Sequence, residues 1–294
     1  SPAEQSRPAR ESGRPGPPPP ADPAVAMHPR ISVSAISTRT WGLDADLEFY
    51  ARTGINQVGV SLHKLERQGL ERGANEVAAT GMRVTNLLAR GPFTLAAPEG
   101  WEAQQRRTLA GLDAAVAMRA ECMVLTTGPA GPLSWEDAAD ALAAVLSPVV
   151  AESKRRELPL ALEHTNSLRP DVGFLHTLRD TMDLARQLGV GVCMELNACW
   201  GERALGQIVA RGVDLLRLVQ VSDYVIGTLR TPDRAVPGDG DIPLARIIGQ
   251  LVESGYRGVF DIELVGPRIE EEGYERAIPR AIERVETLLA TAGI

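Results

Sequence analysis

From residue 31 onward, short apolar runs alternate with longer stretches in which apolar side chains recur at helical spacing. Residues 31–36 read as a first strand. Residues 43–53 read as a helix that places Leu43, Leu47 and Tyr50 on one face. A second strand at 54–60 opens on Gly54, a helix stop signal. Residues 64–80 read as a helix weakened by Gly69 and Gly73, and 81–88 as the third strand. A long amphipathic helix at 101–119 precedes a fourth strand at 122–127. Ser134-Trp-Glu-Asp137 resembles a capping box, with Ser134 as the cap and an aspartate where glutamate is preferred. The helix it opens runs to about residue 156, and Leu160-Ala-Leu-Glu-His-Thr165 is the fifth strand. Asp171 starts a helix that contains His176 and ends near Gly189. Strands at 190–196, 215–221 and 258–264 then alternate with helices at 202–211, 243–254 and 273–290. Eight strands alternating with eight helices predict a (β/α)8 TIM barrel rather than an open doubly wound sheet.

The first 29 residues break this pattern. They hold nine of the chain's 21 prolines, including the block at 17–20, and show no apolar periodicity. Such a composition buries too little surface to offset chain entropy, so residues 1–29 are expected to form a disordered Pro-rich tail and residues 30–294 the barrel domain. A net charge of −7 argues against a nucleic-acid partner. Cys122, Cys193 and Cys199 lie in or beside apolar runs without metal or disulfide spacing, which suits buried thiols in a reducing compartment. No apolar run approaches the roughly 18 residues of a membrane span. These features together predict a cytoplasmic protein without a membrane partner; a small-molecule substrate and homo-oligomers are expectations that go with a barrel of this kind.

The candidate chemistry lies at strand ends. Glu163, Glu195, Gln220 and Glu263 each close an apolar run, and the steps between them are 32, 25 and 43 residues. Each step is about one strand plus one helix with its loops. Parallel strands would bring all four to the C-terminal mouth of the barrel, where function resides in this fold. Three carboxylates cannot share a dry pocket at neutral pH without protons or a cation. A divalent metal answers this, and an all-oxygen set favours Mn²⁺ or Mg²⁺, with Co²⁺ or Zn²⁺ as further options. The plainer alternative pairs each acid with a backbone amide or a nearby arginine.

These positions resemble the sugar phosphate isomerase/epimerase family of xylose isomerase-like barrels, over residues 31–290. In that family a glutamate, an aspartate, a histidine or glutamine and a glutamate on strands five to eight hold one metal; Glu163, Glu195, Gln220 and Glu263 match in order. Val219-Gln-Val-Ser-Asp223, Asp233-Arg-Ala-Val-Pro-Gly-Asp-Gly-Asp241 and Gly255-Tyr-Arg-Gly258 support the match. Two departures stand out. Glu195 replaces the usual aspartate, and Ala198 stands where the family commonly has a substrate-contacting histidine. The resemblance implies a divalent-metal-dependent isomerase/epimerase acting on a small polyhydroxylated carbonyl compound through a metal-stabilised enediolate, with Glu163 and Glu263 as the catalytic pair. Gln220 and Ala198 also fit a metal-dependent lyase or dehydratase of the same superfamily. A degenerate, non-catalytic barrel serving as a binding subunit is the non-enzymatic alternative.

Further candidates frame the mouth. His164 points away from the axis if the fifth strand persists; if the strand has ended, it faces substrate with Asn166 and Arg169. His63 follows strand two, Trp200 follows strand six, and Trp41 follows strand one. Arg234 sits in a glycine- and proline-rich loop, either fixing a substrate oxygen or anchoring that loop through Asp239 or Asp241. Asp261 is expected to face inward, and His176 to be structural.

Overall fold

The computed structural model describes residues 27–91 and 93–294. The expected tail lies outside the described residues as far as residue 26. Its last three positions belong instead to the folded body: Met27 is buried in the core, and the His28 carbonyl accepts from Gln57 Nε2 at 3.0 Å.

Eight parallel strands close in sequence order. They are β1 (Ile31–Ser34), β2 (Gln57–Ser61), β3 (Arg83–Ala89), β4 (Met123–Thr126), β5 (Leu160–Glu163), β6 (Gly191–Glu195), β7 (Leu216–Val221) and β8 (Phe260–Ile262). The closing pair is β1 with β8, with Ile31 beside Phe260 and Ser32 beside Asp261. The larger helices around this ring are α1 (Leu43–Thr53), α2 (Leu62–Gln68), α3 (Leu70–Ala79), α4 (Trp101–Ala117), α5 (Trp135–Arg155) and α6 (Leu178–Leu188). A single-turn α7 (Leu196–Cys199) follows β6 directly, and then come α8 (Leu205–Gly212), α9 (Leu244–Glu253), α10 (Pro267–Glu272) and α11 (Tyr274–Thr291).

Both faces of every strand are covered, which explains the near-continuous apolar runs. Alternation decides which side chain goes where. Leu160, Leu162, Val192, Met194, Val219 and Ile262 join the large core between strands and helices. Ala161, Cys193, Leu218 and Val259 form a second cluster inside the ring. The same two-residue period sends Glu163, Glu195, Gln220 and Asp261 inward.

Two expected elements differ from those observed. The helix expected over 64–80 is broken at Gly69, whose φ of 94° no side-chain-bearing residue adopts readily. The helix expected from Asp171 begins only at Leu178, where the Thr177 side chain accepts from Asp180 N at 3.0 Å. Residues 166–177 are therefore a loop over the mouth, pinned where Thr165 N–H bonds Leu175 O at 2.9 Å and Phe174 N–H bonds Thr127 Oγ1 at 3.0 Å. His176 sits in that loop and donates from Nδ1 to Thr165 O at 3.1 Å. The Ser134 cap is present, accepting from Asp137 N–H at 3.1 Å. Its hydroxyl donates in turn to Asp137 Oδ2 at 2.7 Å.

Candidate active site

Glu163 and Glu195 are the last residues of β5 and β6. Gln220 lies in β7, in register with Glu195 on one side and Asp261 on the other. Glu263 comes one residue after β8, and its N–H bonds Val221 O at 3.1 Å. All four are buried, Gln220 completely. The structure thus brings the four sequence-predicted strand-end residues to one end of the barrel interior.

Their polar atoms are poorly satisfied. Glu195 Oε1 accepts from Asn197 N–H at 3.0 Å, across the start of α7. Glu163 Oε2, Glu263 Oε2 and both amide atoms of Gln220 have no hydrogen-bond partner. Burial, reinforced by the charges of Glu263 and Glu195, pushes the Glu163 carboxyl well above the usual carboxylate range. Burial likewise lifts Glu195 to about 7, against the pull of Arg234. Deeper in the ring, Asp261 accepts from the Ser32 hydroxyl, and from Asn86 Nδ2 at 3.3 Å; burial lifts it to about 7. Gly59 makes room there, because a Cβ would lie 2.6 Å from Asn86 Nδ2.

Arg234 enters this cluster from the loop between β7 and α9. Its guanidinium donates from Nη1 to Glu263 O at 3.1 Å and stands 3.4 Å from Glu195 Oε1 and 3.7 Å from Glu263 Oε2. Burial works against its charge, but Glu195, Glu263 and Glu163 outweigh it and hold the group above its ordinary value. The alternative of a loop anchor fails: Asp239 pairs with Arg280 and Asp241 caps Ile226 N–H. The loop is organised by Asp223 instead. That carboxylate accepts four backbone N–H groups, from Tyr224 (2.9 Å), Ile242 (3.0 Å), Gly238 (2.8 Å) and Gly240 (3.1 Å).

His164 is fully buried. Its Nε2 accepts from Glu195 N–H at 3.1 Å, so the proton resides on Nδ1, which has no partner. Burial, with His176 nearby, lowers it to about 3, so the ring stays neutral.

A cavity of about 60 Å³ opens over the cluster, room for a few water-sized groups. Glu163, Glu195, Glu263 and Arg234 line it, as do the expected His164, Asn166 and Arg169. Gln220 lies outside the lining, enclosed in the ring. His63 is exposed on the first turn of α2 and does not reach the cavity, because α2 starts immediately after β2 and turns that side chain to solvent. Trp200 packs against Tyr224 instead, with ring centroids 6.4 Å apart and the rings tilted by 37°. Trp41 packs against Phe49 and Tyr274. The sequence reading missed Arg90, Thr126 and Asn197, which also line the cavity. Arg90 and Thr126 follow or end strands, so the strand-end rule that found the glutamates could have found them.

Three carboxylates and an amide oxygen form a hard donor set, and unpartnered buried oxygens on Glu163, Gln220 and Glu263 are the condition a divalent cation relieves. In chemistry the residues fit such an ion. Among the described residues, however, no group of three His, Cys, Asp or Glu side chains is drawn to metal-ligand spacing.

A family model described as xylose isomerase-like TIM barrel matches residues 47–285. No curated protein sequence matches the chain. Among solved structures, protein SMc04130 from Sinorhizobium meliloti 1021 superposes with a TM-score of 0.81 at 22% identity, covering 88% of this chain and 98% of that one. The IOLI protein with a bound zinc atom superposes with a TM-score of 0.76 at 16% identity, covering 90% and 99%. The apo form of 3-keto-D-glucoside 4-epimerase, YcjR, from E. coli gives 0.67 at 16% identity, covering 89% and 99%. At such identities these neighbours share the fold. The closed eight-stranded parallel ring, its strand-end glutamates and the family model covering most of the chain lead to one assignment: the protein belongs to the xylose isomerase-like TIM-barrel family.

Proposed function

We propose that the protein is a divalent-metal-dependent isomerase or epimerase acting on a small polyhydroxylated carbonyl compound by proton abstraction beside the carbonyl. The observation that carries this reading is the pair Glu163 and Glu263, buried at the ends of β5 and β8 with an unpartnered oxygen each, on one small cavity. The solved neighbours add support, since one is a keto-glucoside epimerase and another holds zinc. Glu163, Glu195, Gln220 and Glu263 would hold the ion. When bound, it supplies positive charge that polarises the substrate carbonyl oxygen.

The remaining work falls to the chain's own groups. One of Glu163 and Glu263 takes the proton from the carbon beside the carbonyl, and the other returns one from the opposite face. The two project from strands three apart in the ring, so they reach the substrate from different sides. Arg234 orients a substrate oxygen through donors that the protein leaves unused. His164 is a neutral donor through Nδ1 and does not compete for the transferred proton. A cytoplasmic setting accords with three buried free cysteines. Among the described residues no helix is long and apolar enough to cross a membrane.

Elimination is the second reading, favoured by Ala198, whose side chain offers no hydrogen-bond donor beside the cavity-lining Asn197. The test is proton exchange in deuterated water over a panel of keto-sugars with Mn²⁺, followed by NMR. Deuterium incorporation is expected in the wild type and is abolished in Glu163→Gln and Glu263→Gln, with unchanged circular dichroism. Full exchange in both variants would refute the assignment, and an unsaturated product would select elimination.

A further inference from the structure

Arg234 has an unusual position for a residue that only meets substrate. Its backbone is fixed on both sides: its N–H bonds Val265 O at 2.9 Å, and Ala235 exchanges two 2.9 Å hydrogen bonds with Asp223. Gly240 lets the loop close on Asp223, since a Cβ there would lie 2.5 Å from Asp223 Oδ1 and 2.6 Å from Tyr224 O. The arm is rigid, yet its guanidinium is loosely engaged. Of its five N–H donors, one bonds Glu263 O, and the carboxylates of Glu195 and Glu263 stand at 3.4 and 3.7 Å. Those are two of the four residues that would hold the metal.

We propose that Arg234 is a built-in cation that competes with the divalent metal for Glu195 and Glu263, and so sets how tightly the site holds its ion. The inference rests on the metal-binding reading above. Buried carboxylates need compensating charge, and in the metal-free protein the guanidinium supplies it. An incoming divalent ion meets the same carboxylates and a positive group beside them. In a site of low polarity the two cations repel strongly. Loading the metal then drives the guanidinium off the carboxylates, which frees its donors for a substrate oxygen.

Calorimetric titration of Mn²⁺ into chelator-treated wild type, Arg234→Met and Arg234→Lys tests the proposal, with circular dichroism confirming folded protein. Arg234→Met is expected to bind Mn²⁺ tighter by on the order of tenfold or more, the scale on which groups around metal ligands act. Its metal-free melting temperature falls and recovers on adding Mn²⁺. Arg234→Lys keeps the charge and is expected to bind close to wild type, which separates charge from loop packing. Equal or weaker binding by Arg234→Met, with normal binding by wild type, overturns the competition and leaves the metal reading intact. Binding by Arg234→Met alone supports the competition and removes metal dependence from the wild type. Binding by none of the three overturns both.

Discussion

Glu163, Glu195 and Glu263 face one buried guanidinium, so the cavity floor is short of positive charge. The residue that delivers that guanidinium is Asp223, whose two oxygens satisfy four backbone N–H groups. Asp223→Asn keeps the shape but replaces one accepting oxygen with a donor. It leaves at least one buried N–H orphaned, at a cost of about 1–3 kcal/mol. Thermal unfolding is expected to show that loss, and Mn²⁺ titration an altered affinity as Arg234 shifts; unchanged values in both would contradict the role. The glutamates were legible in the sequence because each ends an apolar run, a purely local signal. The partner of Arg234 was not, because Asp239 and Asp241 are close in sequence while Glu195 and Glu263 are close only through the fold. His164 answers to both expected readings: it is a buried ring satisfied at Nε2 and a cavity wall.

At the scale of elements, two-residue alternation gave the strands and their inward faces, and the closed β1–β8 order agrees with it. Helix ends followed less well, because they depend on loops. The loop at 166–177 takes its shape from bonds to residues near Thr127 and from its own Thr165–Leu175 contact, which no local periodicity encodes. His63 and Trp200 were misplaced for the same reason: α2 and α7 start directly at the strand ends and turn their side chains away. Where a boundary signal is local it can be relied on. Ser134 caps α5 by accepting from Asp137 N–H, so Ser134→Ala is expected to cost about 1 kcal/mol of stability. Because α5 starts away from the cavity, Mn²⁺ affinity should be unchanged; an unaltered melting temperature would contradict the cap.

For the whole molecule, the interior carboxyls couple stability to pH. Glu195 and Asp261 sit at about 7 in the fold, raised chiefly by burial, against about 4 for ordinary carboxyls. Between those values the folded chain keeps protons that the unfolded chain has released, so stability present below about pH 4 is lost as pH rises towards 7. Metal-free protein in chelator is expected to melt at progressively lower temperature from about pH 5 to about pH 8. A rising melting temperature across that range would contradict burial as the dominant influence on these groups. Divalent metal favours the ionised ligands and should offset the loss increasingly as pH rises.

The most direct measurement is the thermal shift of wild type and Glu263→Gln with Mn²⁺, Mg²⁺, Co²⁺ and Zn²⁺. Metal at about 100 times its dissociation constant should add roughly 2.7 kcal/mol to the wild type. Stabilisation by Mn²⁺ or Mg²⁺ that disappears in Glu263→Gln is the expected result. No stabilisation of the wild type by any of the four ions would contradict it.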